Sequence, residues 1–138
     1  MAVNTAFGMY CLDAERNLYS KGVEMTEKIG QSRIIDVSKL IHENQEKWVN
    51  INLTEVNDSI VRLGIFEGEF HWHKHNLEDE LFFVLEGRLL LDLEGETIEL
   101  IPYQGYTVPR QVIHRTRAKE KTVVLMVEGN TVNPRGDA

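Results

Sequence analysis

Hydrophobic and polar residues change their period once along this chain, near residue 50. Before that point Val37, Leu40, Ile41, Asn44 and Trp48 recur at spacings of three and four, which puts them on one face of a helix. The pattern predicts one short amphipathic helix over roughly residues 37–47, with Asp36 or Ser38 as its N-cap and the Trp48 indole covering one end of the core. From Ile51 onward the period is two. Val61, Leu63 and Ile65 alternate with Ile60, Arg62 and Gly64, and runs of strand length follow at 81–85, 88–93, 97–101, 107–108 and 122–128. Glu86-Gly87 and Glu94-Gly95 separate successive runs, where a residue with positive φ makes a tight hairpin; Pro102 and Gly105 punctuate the next connection. Closely spaced strands with no helix between them predict an all-β antiparallel sandwich or barrel. Its core candidates are Phe82, Val84, Leu89, Leu91, Leu93, Ile98, Leu100, Val124 and Met126. Residues 1–33 sustain neither period and read as an N-terminal extension, either an arm or edge strand packed on a neighbour or a mobile segment; residues 34–138 read as a single domain.

Charge narrows the partners. Fifteen basic against 22 acidic side chains give a net charge of −7, with no long Lys/Arg run. Nucleic acid and anionic membrane surfaces require a basic face, so neither is an expected partner. The single cysteine, Cys11, permits no intrachain disulfide, as a reducing compartment allows. The longest aliphatic stretch, 123–127, is far too short to span a bilayer, and no basic residue precedes Arg16. The expected location is cytoplasmic.

Candidate chemistry is concentrated in one string, Phe70-His71-Trp72-His73-Lys74-His75-Asn76-Leu77-Glu78-Asp79-Glu80, and at His114. In a strand, residues two apart share a face, so His73 and His75 can present two imidazoles together while Glu80 arrives from the next strand. Neutral imidazoles with a carboxylate suit Zn, Fe, Mn, Ni, Co or Cu. His71 shares the parity of His73 and is expected to point inward as well.

These residues resemble the cupin superfamily. Its first motif has His-x-His, three or four residues, Glu, six residues and Gly; here His73-Lys74-His75, Glu80 and Gly87 keep that spacing. Its second motif runs Pro-x-Gly-x-x-His; here Pro109 to His114 keep the spacing with Gln111 in the glycine place. More narrowly, the stretch from Ile34 to about Asp137 is similar to small single-domain bacterial cupins, a group loosely labelled as similar to mannose-6-phosphate isomerase. The resemblance implies a cupin jelly-roll β-barrel with one short N-terminal helix. It also implies one divalent transition metal inside the barrel, held by His73, His75, Glu80 and His114. Departures fall in the loops: Glu67 stands at the usual first-motif glycine with Gly68 one place later, while Tyr103 and Ala118 take the outer positions of the second motif. None removes a ligand.

Blander readings stand beside these. An alternative ligand set of His71, His73 and Glu78 leaves no glycine turn at the right distance. Glu78 and Asp79 read as a solvated turn and His42 as a surface residue. Arg62, Arg88, Arg110, Arg115 and Arg117 could bind an anionic substrate, although exposed ion pairs are the commoner outcome. Arg135-Gly136-Asp137 reads as a chance tripeptide in a polar tail. For function, the first expectation is a metal-dependent enzyme, of dioxygenase or isomerase type, acting on a small oxygen-rich molecule with His71 or Tyr106 moving a proton. The second is a metal-dependent small-molecule or sugar binding or sensing module without turnover; the third is a structural metal. A homodimer is expected, with contact through residues 1–33 or the final strand near 123–127.

Overall fold

The computed structural model describes residues 34–137. They form α1 (Val37–Glu43), β1 (Trp48–Val56), β2 (Ser59–Glu69), β3 (Glu80–Glu86), β4 (Leu89–Leu93), β5 (Glu96–Leu100), β6 (Gly105–Val108) and β7 (His114–Gly129). Residues 1–33, with Cys11 and the expected arm, lie outside the described residues.

The helix is shorter than its apolar periodicity predicts. It starts where the Asp36 carboxylate accepts the Lys39 N–H at 3.0 Å, the capping role expected of Asp36. It stops at Glu43 because Asn44 is extended (φ −111°) and donates both its backbone N–H (3.2 Å) and its side-chain Nδ2 (2.8 Å) to the Leu40 carbonyl. Local hydrogen bonding by Asn thus ends the helix before Trp48, which opens β1.

All strand pairs are antiparallel, in the order β1-β2-β7-β3-β6, with β4 bonded to β7 and to β5. The 16-residue β7 is the spine of the molecule. Its residues 114–117 pair with β4, and its residues 123–128 lie between β2 and β3. This corrects the expected dimer edge: residues 123–127 are hydrogen-bonded on both sides and offer no free edge to a second copy. The strand order ends at β1 and β6 instead.

Two apolar layers result. Inside the barrel, Phe66, Phe82, Val84, Leu89, Leu91, Leu100, Val108, Val124 and Met126 are buried together, with Leu93 and Ile98 packed against them. The nine core candidates read from period two are all in this layer. Outside it, Leu40 of α1 covers Val49, Ile51, Leu53, Leu63, Ile65 and Val123. Strand β2 is therefore buried on both faces, which is why its alternation alone could not say which face looked inward. Trp48 stacks on Phe66 (4.3 Å between ring centroids) and Phe70 (5.5 Å), closing one end of the interior as expected.

Gly87 makes the β3–β4 hairpin with φ +80°, and a Cβ there would lie 2.6 Å from the Lys121 carbonyl oxygen and 2.8 Å from the Thr122 Cα. Among the described residues no helix is long and apolar enough to cross a membrane.

Candidate metal centre

Four side chains from three parts of the chain converge inside the barrel. His73 and His114 face each other across a single antiparallel bridge, with N–H to carbonyl distances of 2.9 and 2.8 Å. The Gln111 N–H donates to the His75 carbonyl at 2.6 Å. These bonds replace the expected strand: beyond the single bridge at His73, residues 73–75 join no ladder. Glu80 opens β3, where its register partners are Val108 of β6 and Glu128 of β7. One ligand atom from each of His73, His75, Glu80 and His114 lies within 4.8 Å of every other. His75 (2% exposed), His114 (1%) and Glu80 (6%) are buried, and His73 is half-buried.

Backbone carbonyls select the tautomers. His73 Nδ1 lies 3.0 Å from the His71 carbonyl and His114 Nδ1 lies 2.9 Å from that of Val112. A carbonyl can only accept, so each Nδ1 carries the hydrogen and each Nε2 presents a lone pair when the ring is neutral. His114 Nε2 is nevertheless 3.1 Å from Glu80 Oε2, which is also 3.1 Å from His75 Nε2. Two acceptors at that distance require a cation between them, either a proton or a metal ion. His75 Nδ1 is buried with no hydrogen-bond partner among the described residues.

Electrostatics favour the ligand-ready forms of His73 and Glu80. Burial, reinforced by His114 and His75, lowers the His73 pKa to about 4 against the carbonyl of His71 and the charge of Glu80. His75 goes the other way: burial lowers it, but the hydrogen bond and charge of Glu80, helped by Glu128 and Asp137, raise it above the ordinary value of 6.5. Burial works against ionisation of Glu80, yet its hydrogen bonds to His114 and His75 bring it down to about 2. Glu128, opposite it in register, is pushed up to about 8 by burial and by the Glu80 charge, which outweigh Arg62 and His75. Each carboxylate charge thus disfavours the other, and the proton is held more readily by Glu128 than by Glu80. Three imidazoles, two of them oriented through Nδ1 by backbone carbonyls, around one carboxylate held ionised fit a divalent transition metal.

Other residues fall elsewhere than their parity predicts. His71 is exposed, and its Nε2–H donates to the Arg135 carbonyl at 2.7 Å; the strand that would have aimed it inward ends at Glu69. Tyr106 is half-buried against the interior layer, opposite Phe82 in register. Glu78 is buried and accepts the Thr131 hydroxyl at 2.8 Å, so it is neither a solvated turn residue nor part of the alternative ligand set. The five arginines weighed as anion binders have acidic partners: Arg62 with Glu128, Arg88 with Glu99, Arg110 with Asp79, and Arg115 and Arg117 with Asp92. Two buried residues beside the site have places that the sequence did not assign: Glu128 was not singled out, and Arg62 was weighed only as an anion binder. Glu128 was legible in principle, since it continues the inward parity of Val124 and Met126. Arg62, 4% exposed with one nitrogen 3.4 Å from Glu128, was not, because both faces of β2 are buried.

The loop departures preserve loop shape. Gln111, at the glycine place of the second motif, has φ +68°, and so does Tyr103. Both hold the left-handed backbone that glycine adopts freely.

Comparison with known proteins agrees with this geometry. Residues 60–128 match the cupin domain family. An uncharacterised protein of Bacillus subtilis (strain 168), YdbB, is 43% identical over 98 residues, covering 70% of this chain and 87% of that protein. The polyketide synthase CurC of Streptomyces cyaneus is 44% identical over only 45 residues, 33% of this chain and 29% of that protein. Among solved structures, a cupin-2 domain containing protein from Shewanella frigidimarina NCIMB 400 superposes with a TM-score of 0.68 at 31% identity, covering 72% of this chain and 98% of that one. A jelly-roll of antiparallel strands, two motifs in register and a His₃Glu cluster in the interior agree with that match, and the chain belongs to the cupin family.

Proposed function

We propose that the chain binds one divalent transition metal through His73, His75, Glu80 and His114 and acts as a metal-dependent enzyme on a small, oxygen-rich molecule, in the dioxygenase or isomerase class. The observation that carries the metal reading is the convergence of four donor atoms, one from each residue and each within 4.8 Å of every other. His114 Nε2 and His75 Nε2 both lie 3.1 Å from Glu80 Oε2, so a metal ion can replace the protons that otherwise hold these groups together. When bound, the metal supplies Lewis acidity toward a chelating substrate such as an enediol, a hydroxy-acid or a β-diketone.

Support for catalysis over mere binding comes from Glu128. It is buried against Glu80, and its Oε2 has no hydrogen-bond partner among the described residues. A carboxyl group so placed can hold a proton at the edge of the site and exchange it with a bound molecule. His71, at the rim and tied to Arg135, and Tyr106, in the barrel wall, are the outer candidates for the same task. Phe82 of the interior layer lies edge-on to the His114 ring, 6.0 Å between centroids, so an apolar wall borders the site on that side. A homodimer is proposed alongside, with a monomeric mass at micromolar concentration counting against it.

The test is elemental analysis of purified protein after reconstitution with each of the six candidate metals, beside His114→Ala and Glu80→Gln. One metal per chain in the wild type, lost in both variants, is expected; wild type without stoichiometric metal overturns the proposal. A thermal-shift screen of small hydroxy-acids and sugar phosphates, with and without the metal, then reports on the molecule bound.

A further inference from the structure

The segment that carries two of the four ligands has no strand of its own, and the structure shows what holds its second side. On one side, His73 exchanges both backbone bonds with His114 and the His75 carbonyl accepts from Gln111. On the other side lies the turn of residues 133–137, which is closed on itself: the Gly136 N–H donates to the Asn133 carbonyl (2.9 Å), the Asn133 Nδ2 to the Gly136 carbonyl (2.8 Å), and the Arg135 N–H to Asn133 Oδ1 (3.1 Å). This turn makes three hydrogen bonds to residues 71–76. The His71 ring donates to the Arg135 carbonyl (2.7 Å), the Asp137 N–H donates to the Lys74 carbonyl (2.8 Å), and the Asn76 N–H donates to Asp137 Oδ2 (2.7 Å). Lys74 and Asn76 alternate with the ligands His73 and His75, so the turn supplies the hydrogen bonds that a neighbouring strand would have given.

Gly136 adds a steric contact. Its φ is +89°, and a Cβ there would stand 2.5 Å from the His73 Cβ and 3.0 Å from its Cγ and Cδ2. The glycine lies flat against the base of the His73 side chain, where rotation about its first torsion would begin. The turn is anchored by Val132, which is buried and donates its N–H to the Gly129 carbonyl at the end of β7.

From this geometry, and resting on the metal reading above, we infer that Gly136 and Asp137 are positioning residues of the metal centre: the turn they form fixes the His73–His75 segment and so sets how long a bound metal is retained. The tripeptide Arg135-Gly136-Asp137 thereby acquires an internal role, through the carbonyl of Arg135, the missing side chain of Gly136, and the N–H and carboxylate of Asp137. Groups that orient ligands from one layer out commonly set metal affinity by 10- to 100-fold, so about 10-fold is the effect expected from cutting the Asp137 bond.

The experiment follows cobalt(II) release from the loaded full-length protein into excess chelator by loss of the visible absorption band, beside the melting temperature of each metal-free variant. Asp137→Ala and Gly136→Ala are expected to release cobalt about 10-fold faster than wild type. Asp137→Asn, which keeps an acceptor for the Asn76 N–H, is expected to stay close to the wild-type rate, and Arg135→Ala, which keeps the carbonyl, to match it. Leu40→Ala, in the outer layer under α1, lowers the melting temperature by cavity formation and is expected to leave the release rate unchanged. Release from Asp137→Ala at the wild-type rate overturns the inference, as does acceleration by Leu40→Ala equal to that of the turn variants. Should Gly136→Ala fail to fold, the Asp137 pair decides alone. A wild type that takes up no cobalt sinks the metal-centre reading and this inference with it, whereas tight cobalt unaffected by the turn variants sinks only the latter.

Discussion

Asp92→Ala is expected to destabilise the protein by about 2–3 kcal/mol at neutral pH. Asp92 lies in β4 directly opposite Arg115 of β7, one register step from the Leu93–His114 pair. Its buried carboxylate accepts four hydrogen bonds: from Arg115 Nε (2.8 Å) and Arg117 Nε (2.6 Å) on Oδ2, and from an Arg117 terminal nitrogen (2.7 Å) and the Thr97 hydroxyl (2.7 Å) on Oδ1. Removing one partner of a fully buried ion pair costs about 3–5 kcal/mol, because the other charge is left without compensation. The Arg115 and Arg117 side chains keep 27% and 24% exposure, so water recovers part of that loss and the lower figure follows. The sign of the pH dependence is fixed by the same contacts. Arg117 foremost, then Thr97 and Arg115, hold the Asp92 carboxyl well below its ordinary 3.8 against the opposing effect of burial. A depressed carboxyl contributes its full stability above the unfolded value and loses it as pH falls below that value. Urea unfolding of wild type, Asp92→Ala and Asp92→Asn at pH 7, and again in steps from pH 5 to pH 2.5, separates the effects. A loss under about 1 kcal/mol for the alanine variant at pH 7, or the same acid slope in wild type and Asp92→Asn, would refute the reasoning.

Three further outcomes are expected. Metal affinity should rise from pH 6 to pH 8, since His73, lowered to about 4, is already neutral there while His75, raised above 6.5, must give up a proton to bind; cobalt titrations at pH 6, 7 and 8 with a flat result would count against Nε2 ligation by His75. Gly87→Ala should cost about 2 kcal/mol or more in denaturant unfolding, because its positive φ disfavours any side chain and the Cβ would meet backbone atoms of residues 121 and 122. Gln111→Gly should gain up to about 1 kcal/mol by relieving the left-handed strain at φ +68° while keeping the N–H that donates to the His75 carbonyl, and thermal unfolding with no gain would show that the side chain compensates.

Period two was enough to find the strands, the interior layer and the two glycine hairpins, because each depends on residues close in sequence. It failed where a local polar group or a distant segment overrode it. Asn44 ended the helix early by bonding back to Leu40, and no apolar periodicity encodes that. His71 kept the parity of His73 but not its direction, since residues 70–72 leave the ladder and the ring finds the Arg135 carbonyl 64 positions away. Glu78 looked like solvated polarity until Thr131 was brought against it. The four clustered residues were legible through the spacing of two motifs, whereas Glu128, in neither motif, could be reached only by extending the parity of β7 past Met126.

What no periodicity could show is how the two ends of β7 come together. His114 and Glu128 are 14 residues apart on a single strand, and an extended chain rising about 3.3 Å per residue would separate them by ~46 Å. Yet Glu80, register partner of Glu128, reaches His114 with its carboxylate at 3.1 Å. Strand β7 must therefore fold over between them, and the register shows where. Phe66 pairs with Thr122 and Gly68 with Ala118, so Glu67 alone stands opposite the three exposed residues Lys119, Glu120 and Lys121. Those extra residues break the ladder and let both strands bend, as β-bulges do, and the bend lays the His114 end across the Glu128 end. Gly68, at φ +123°, is the backbone specialist on the opposing strand, and it stands one place after the position where the family motif has its glycine. The His₃Glu cluster is thus assembled by a bulge outside its four residues, and conformational strain introduced at residue 68 should be felt at that cluster before it is felt in the interior layer.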